Sequence, residues 1–509
     1  MSYDEILHQV GGFGKYQKKV FMLLCLPSIL VGFHIFAGVF IFTTPDFHCR
    51  VANRTLSTSN VCTYLNGKNE TEICEEFSFD EKSVFKHTAV TDWGLVCEKR
   101  FYKALADSLF MVGLMIGSMC FGWISDKYGR RLAFFIALVL QVVFGIFSGL
   151  SPNYYLFVLC RMILAGATIS VFIVAFILAM EMADGKFRAY IGIIMMLFSS
   201  FGYLTLALFA YLVTEWRVFQ ILISLPGLVF LSYWKIIPES PHWLITNNRK
   251  DDLTKWIEKV AKYNGIKLSS EVYQSLVQDT VPTNKNIVKQ ITLLDIFRYP
   301  NLRKRSLTIF FAWFVISGVY YGLSWNTNNL GGNPFLNFII SAAVEIPGYS
   351  FLLFALNKFG RRTILSSAMS LSGIMLILTI FTQSEQNGLM IAFAMLGKMA
   401  ITTSYGTIYV FTSEQFPTVI RNIGLGSGST SARIGGILAP HINSLVDFWN
   451  PLPLLIFGTL ALVSGLLNLF LPETLNKILP ETIEESENFG KKDVTKNHNY
   501  VEQEVLENK

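Results

Sequence analysis

The chain is poor in charge. Only 15% of its 509 residues are Asp, Glu, Lys or Arg, against about 25% in a typical soluble domain. That is too little ionic surface for a water-soluble protein of this length, so a soluble globular chain is excluded. Histidine is scarce, with seven residues scattered along the chain, and none pairs with a cysteine at metal-ligand spacing, so no metal centre is expected. Gly397-Lys398-Met399 lacks the upstream glycine and the hydroxyl residue of a phosphate-binding loop, which argues against coupling to ATP hydrolysis. The net charge of +6 lies in loops between apolar runs, so no nucleic-acid partner is expected. With no catalytic motif present, neither an enzyme nor a cofactor is anticipated.

Apolar sequence is abundant: 52% of residues are hydrophobic. They fall in runs of roughly 20, enough to cross a hydrocarbon layer about 30 Å thick. The runs place spans at about 20–42, 105–125, 133–150, 154–180, 189–212 and 217–236. A second set lies at about 307–326, 334–356, 362–382, 389–412, 423–444 and 452–471. The first run follows a polar start with no small-residue cleavage site, so no cleavable leader is expected. Between the sets, Asp251–Tyr263 reads as an amphipathic helix with Leu253, Trp256, Ile257 and Val260 on one face. The acidic tail reads as disordered after Glu485.

Lys127, Arg130, Arg131, Lys186, Arg188, Lys358, Arg361, Arg362 and Arg421 occupy alternate short loops, and the other short loops carry no Lys or Arg. Basic loops face the cytoplasm, which puts both termini inside. Cys49, Cys62, Cys74 and Cys97 cluster in the one long polar segment after the first span, together with the sequons at Asn53 and Asn69. That segment is expected to be external, glycosylated and stapled by two disulfides, with three pairings open. Cys25, Cys120 and Cys160 lie in apolar runs as small packing residues.

The chain also repeats itself. Gly129-Arg130-Arg131 returns as Gly360-Arg361-Arg362, 231 residues on. Glu181 and Arg188 return as Glu414 and Arg421 after 233, and Pro238-Glu239-Ser240 returns as Pro472-Glu473-Thr474 after 234. Two six-span halves joined by a connector follow: 1–19 as N-terminus, 20–240 as first bundle with external loop 43–103, 241–305 as connector, 306–472 as second bundle, and 473–509 as tail. This is the parallel-repeat plan of an all-α transporter. Asp126 and the repeated charges Arg130, Glu181, Arg188, Arg361, Glu414 and Arg421 read as a gating latch between the halves. Ionisable residues inside spans mark a pathway or a buried pair, so Arg161, Glu345, Lys398 and Arg433 are substrate-site candidates. Phe172, Phe176, Tyr321, Trp325 and Tyr349 are aromatic candidates to line the cavity. His34 reads as a packing residue.

Gly122-Trp-Ile-Ser-Asp-Lys-Tyr-Gly-Arg-Arg131 resembles the signature loop of the major facilitator superfamily. The loop closed by Asp92-Trp-Gly-Leu-Val-Cys97 is similar to that of its organic ion transporter family. So are Glu414-Gln-Phe-Pro-Thr-Val-Ile-Arg421, Ser431-Ala-Arg433 through Pro440, Leu471-Pro-Glu-Thr474 and Leu479-Pro-Glu-Thr482, while Pro238-Glu-Ser-Pro-His-Trp-Leu244 resembles a motif shared by sugar porters and organic ion transporters. The resemblance implies the major facilitator fold, twelve helices and traffic in small organic ions across the plasma membrane, with Na+ or H+ as possible coupling ions. Arg433 matches the arginine of organic anion and carnitine transporters, where cation transporters proper carry aspartate. Arg161-Met-Ile-Leu-Ala, Tyr321-Gly-Leu-Ser324 and Val344-Glu345-Ile-Pro347 look most like the carnitine branch. Asn357, Leu353 and His242 depart from the family pattern. A neutral-solute porter and a nontransporting receptor that uses the glycosylated loop are the competing readings; oligomeric state is left open.

Overall fold

The computed structural model describes residues 7–51, 54–59, 62–65, 71–80, 87–184, 187–266, 293–382, 387–417, 419–477 and 479–489. Asn53 and Asn69 lie outside these residues. Twelve membrane helices form two halves. The first half holds α1 (Lys15–Ile41), α2 (Phe101–Tyr128), α3 (Arg130–Leu150), α4 (Tyr154–Glu181), α5 (Arg188–Leu212) and α6 (Trp216–Lys235). The second holds α7 (Pro300–Trp325), α8 (Pro334–Ala343 continued by Glu345–Phe359), α9 (Arg361–Leu378), α10 (Asn387–Gln415), α11 (Arg421–Ser444) and α12 (Leu452–Asn468). Among the described residues, ten helices are long and apolar enough to cross a membrane. The remaining two are α12, of 17 residues, and α11, diluted by its glycines and serines.

Large apolar side chains such as Leu208, Phe354 and Phe470 stay exposed on the outer faces, a surface suited to lipid and not to water. Breaks in the helices follow from proline, which has no amide hydrogen to donate. α1 breaks at Pro27 and again before Gly38, and α6 breaks at Pro226. In α8 the break falls at Val344, because Pro347 leaves the Ala343 carbonyl without its helical donor. α7 starts about seven residues before the apolar run, since Pro300 suits a first helical position and Arg303, Lys304 and Arg305 continue the helix out of the apolar layer.

The halves meet where α2 packs along α11 and α5 along α8. At Gly435 the backbones of α11 and α7 touch: a Cβ there would lie 2.1 Å from the Phe314 carbonyl oxygen. The connector helix forms over Lys250–Asn264 and buries Leu253, Trp256, Ile257 and Val260, the face expected from its periodicity. It docks on the start of α1, where Asn264 Oδ1 accepts from the Tyr16 amide at 2.9 Å. In the tail a short helix, Ile483–Asn488, folds back onto α7; the part of the tail from 490 lies outside the described residues.

The loop after α1 carries five short strands: β1 (Phe47–Val51), β2 (Arg54–Ser59), β3 (Thr63–Leu65), β4 (Thr71–Ile73) and β5 (Glu76–Phe79). β1 lies between β2 and β5 in an antiparallel sheet, and β3 pairs with β4. The disulfides are Cys49–Cys74 and Cys62–Cys97. Asp92, in the closing motif, accepts from Trp216 Nε1 at 3.0 Å and Arg217 Nε at 3.1 Å, which ties the loop to the start of α6.

Candidate functional site

Three ionisable clusters lie inside the bundle. In the first half, Arg161 of α4 pairs with Asp107 of α2 at 3.3 Å. The rings of Phe42 and Phe110 stand 4.9 and 5.0 Å from its guanidinium, near enough for cation–π attraction. Asp107 escaped the sequence reading because it sits beside the expected start of its span, where an acid looks like a loop residue.

The second cluster joins the halves. Lys398 Nζ of α10 lies 3.3 Å from Glu345 Oε1 of α8, and each side chain is 1% exposed. Lys398 also donates to Ser324 Oγ at 2.7 Å, Ser341 Oγ at 2.8 Å and Tyr203 OH at 3.2 Å. Glu345 accepts from Tyr320 OH at 2.8 Å and from Ser200 Oγ at 2.6 Å. Ser200 and Tyr203 belong to α5 of the other half, so the network crosses between them. Both charges were expected as separate candidates; the structure makes them one compensated, fully hydrogen-bonded pair. Such a pair can persist in a low-dielectric interior because each charge is the other's counter-ion.

The third cluster is Arg433, 5% exposed, on α11. It lies beside Tyr321 of α7 and Tyr405 and Tyr409 of α10. Its Nε and Nη1 find no hydrogen-bond partner, and no carboxylate pairs with it among the described residues. Trp313 packs against Tyr409 at 4.5 Å and fixes that ring through its own bond to Thr412 Oγ1 at 2.9 Å. Tyr405 and Tyr409 were not singled out from sequence. Their four-residue spacing puts both on one helix face, a signal drowned among 20 tyrosines and 43 phenylalanines.

The aromatic candidates divide. Tyr321 stands against Trp325 at 5.6 Å, and Tyr349 is buried. Phe172 and Phe176 stack on the α4 face at 6.4 Å, within the first half and apart from the tyrosines around Arg433. Trp325 closes the seam between halves on the disulfide-loop side, where its Nε1 donates to the Ile35 carbonyl at 3.3 Å. On the same side Asn328 donates to Val39 O at 3.1 Å, and Ser108 of α2 donates to Ile437 O of α11 at 2.8 Å.

The charged motifs fill the opposite face. Arg130 grips Glu181 through two bonds of 3.1 Å and pairs with Asp126 at 3.0 Å. His242 Nδ1 stands 3.6 Å from the same Glu181. In the second half Arg361 Nε lies 3.1 Å from Glu414, and Thr474 donates to Glu414 at 2.5 Å. These pairs join helices of one half, so in this conformation they brace each bundle and do not bridge the two. The reason is topological: the ends of α4 and α10 adjoin the starts of α3 and α9 in their own bundles. Arg188 and Arg421 open α5 and α11.

Two repeated motifs prove to be one device. Glu239 accepts the amides of Arg130 at 2.8 Å and Arg131 at 3.2 Å, capping α3 with a carboxylate. Glu473 accepts Arg361 and Arg362 at 2.9 and 3.1 Å in the same way. Gly129 and Gly360 have φ of 107° and 85°, and a Cβ on either would meet the capping carboxylate at 2.4 or 2.5 Å. Burial lifts the Glu239 carboxyl above the usual carboxylate value, against the downward pull of three backbone amides and Arg130.

Twelve helices in two halves, with compensated charges at their core, define a multi-pass membrane transporter of the major facilitator architecture. A structure of the xylose transporter XylE from E. coli, in a partially occluded inward-open conformation, superposes with a TM-score of 0.63 over 91% of this chain and 100% of that chain, at 18% identity. The chain belongs to the sugar (and other) transporter family, which matches residues 20–485. It is 48% identical to an organic cation transporter protein of Drosophila melanogaster over 97% of this chain and 96% of that one. It is 32% identical to the organic cation/carnitine transporter 2 of Homo sapiens, over 95% and 93%. The protein is a secondary transporter with a small-molecule substrate, not an enzyme.

Proposed function

We propose that this protein carries small organic ions across the plasma membrane by alternating access, and that Arg433 receives the carboxylate of a carnitine-like zwitterion or an organic anion. The observation that carries this reading is a contrast among the three buried cations that lie within the apolar layer, among the described residues. Arg161 has Asp107 and Lys398 has Glu345, whereas Arg433 has tyrosines and two unpartnered nitrogens. An uncompensated guanidinium inside a membrane protein is costly, and an arriving carboxylate forms strong charge-assisted bonds that offset the cost. Tyr321, Tyr405 and Tyr409 supply ring faces for the apolar or cationic remainder of the substrate. The names of the relatives support a small organic ion as cargo.

In this reading both termini and the connector face the cytoplasm, by the distribution of Lys and Arg in the loops, and the disulfide-stapled loop faces outward with Asn53 and Asn69 glycosylated. Asp126, Arg130, Glu181, Arg188, Arg361, Glu414 and Arg421 stiffen the cytoplasmic ends, so each half rocks as a body. Arg161, Glu345 and Lys398 hold the cavity walls, and Phe172, Phe176, Trp325 and Tyr349 border the route.

Uptake of labelled carnitine, tetraethylammonium and p-aminohippurate tests this, with and without Na+ and across a pH gradient. Arg433→Ala and Arg433→Lys are compared with wild type at matched surface expression. Arg433→Ala is expected to lose about 30-fold or more of carboxylate uptake, the scale of truncating a buried charged partner. Undiminished carboxylate uptake removes the anchor. Hexose uptake indifferent to Arg433 points to a neutral-solute porter, and ligand binding at the loop without flux into sealed vesicles points to a receptor.

A further inference from the structure

A cleft of about 370 Å³ opens at the charged-loop end of the second half, between the start of α7, the start of α9, the end of α12 and the tail helix. Three cations line it: Lys304, Arg305 and Arg362. Glu487 lines it too, but its carboxylate is engaged, accepting the amides of Asn301 at 3.0 Å and Leu302 at 2.9 Å at the α7 N-terminus. Arg305 is only 7% exposed. Its Nη2 donates to the Ser486 carbonyl oxygen and, at 3.4 Å, to Ser486 Oγ. Its Nε and Nη1 have no partner among the described residues. Arg362 donates Nη1 to Leu471 O at 3.3 Å, and its Nε is likewise unpartnered. Buried donors are normally satisfied, so these two guanidinium groups keep donor capacity that the described residues leave unused. At the rim stand Phe489 and Phe470, the latter 85% exposed, which gives the cleft an apolar lip beside the bilayer.

We propose that this cleft binds a phosphomonoester group, carried by an anionic lipid headgroup or by free phosphate. Among the lining residues, three cations against one carboxylate leave a charge of about +2, and a phosphomonoester near neutral pH carries about −1.5 to −2. Its three terminal oxygens accept from several donors at once, which suits two guanidinium groups and an ammonium. A phosphodiester lipid brings a single charge and leaves the site unneutralised. The cleft is separate from Arg433 and its tyrosines, so the proposal does not rest on the substrate assigned above.

Thermal unfolding of the purified full-length chain in detergent tests it, titrated separately with dioctanoyl phosphatidic acid, dioctanoyl phosphatidylcholine and inorganic phosphate. Lys304 is exposed, so Lys304→Ala should fold normally, and Arg303→Ala, exposed and off the cleft, is the charge control. Phosphatidic acid is expected to raise the midpoint of wild type. Lys304→Ala should weaken the apparent affinity about fivefold, the scale of one basic residue near an anionic headgroup, while Arg303→Ala leaves it unchanged. A shift with phosphatidic acid alone identifies a lipid as the source; an equal shift with inorganic phosphate identifies a soluble anion, and either supports the site. The proposal is overturned if neither phosphate probe shifts the midpoint, if phosphatidylcholine shifts it equally, or if the two variants weaken binding alike.

Discussion

Lys398 and Glu345 lie 3.3 Å apart at 1% side-chain exposure and are held from both halves of the protein, with Ser200 and Tyr203 supplied by α5. The pair therefore belongs to the seam between halves as much as to its own bundle.

Removing one member leaves the other buried and uncompensated. Lys398→Ala should lower stability by about 3–5 kcal/mol, read as a fall in the thermal midpoint of purified protein. The double variant Lys398→Met, Glu345→Met should recover much of that loss while transport stays impaired. A single variant as stable as wild type would sink the compensated-pair account.

Gly129→Ala and Gly360→Ala each place a Cβ against a capping carboxylate and force a positive φ on a residue that avoids it. Each should destabilise by at least about 1 kcal/mol. With ψ of 152° at both positions, Asn and Asp gain nothing from their tolerance of the left-handed helical region, so they should be no better than Ala. Wild-type stability of either Ala variant would contradict the need for glycine.

Glu239 gives a pH signature. Burial raises its folded pKa above the ordinary carboxylate value, so the protonated form is favoured on folding. The corresponding stability is present below the unfolded pKa and lost as pH rises through the folded one. Glu239→Gln does not titrate, so its midpoint relative to wild type should improve as pH rises above the ordinary carboxylate range. A difference independent of pH, or of opposite slope, contradicts the raised carboxyl.

The Cys62–Cys97 bridge closes the loop next to the Asp92 tether. Cys62→Ser with Cys97→Ser should cost roughly 2–4 kcal/mol, seen as faster proteolysis of the loop in intact vesicles. Because the loop is tied to α6 and not to Arg433, protein that reaches the surface should keep its substrate preference. A changed preference would place the loop in the substrate path.

Much of the fold was legible because run length is a local property. Proline and the basic residues of the α7 start moved the helix ends, but not the helix count. The buried charges were legible for the same reason: Arg161, Lys398 and Arg433 stand out in apolar sequence. Their partners were not. Glu345 and Lys398 are both visible, yet nothing in a helical period says that α8 faces α10 at that height. Asp107 hid at a span boundary, and Tyr405 and Tyr409 hid among many aromatics. The repeated Gly-Arg-Arg and Pro-Glu-Ser/Thr motifs were visible as copies, while their contact across roughly 110 residues needed coordinates.

The break in α8 has a mechanical side. Ser341 precedes the gap at Val344 and Glu345 follows it, and the Lys398 ammonium bonds to both. One cation thus works as a stitch across a missing rung of the helical ladder. Pro347 makes the break, and a side chain of the neighbouring helix ties its two sides together.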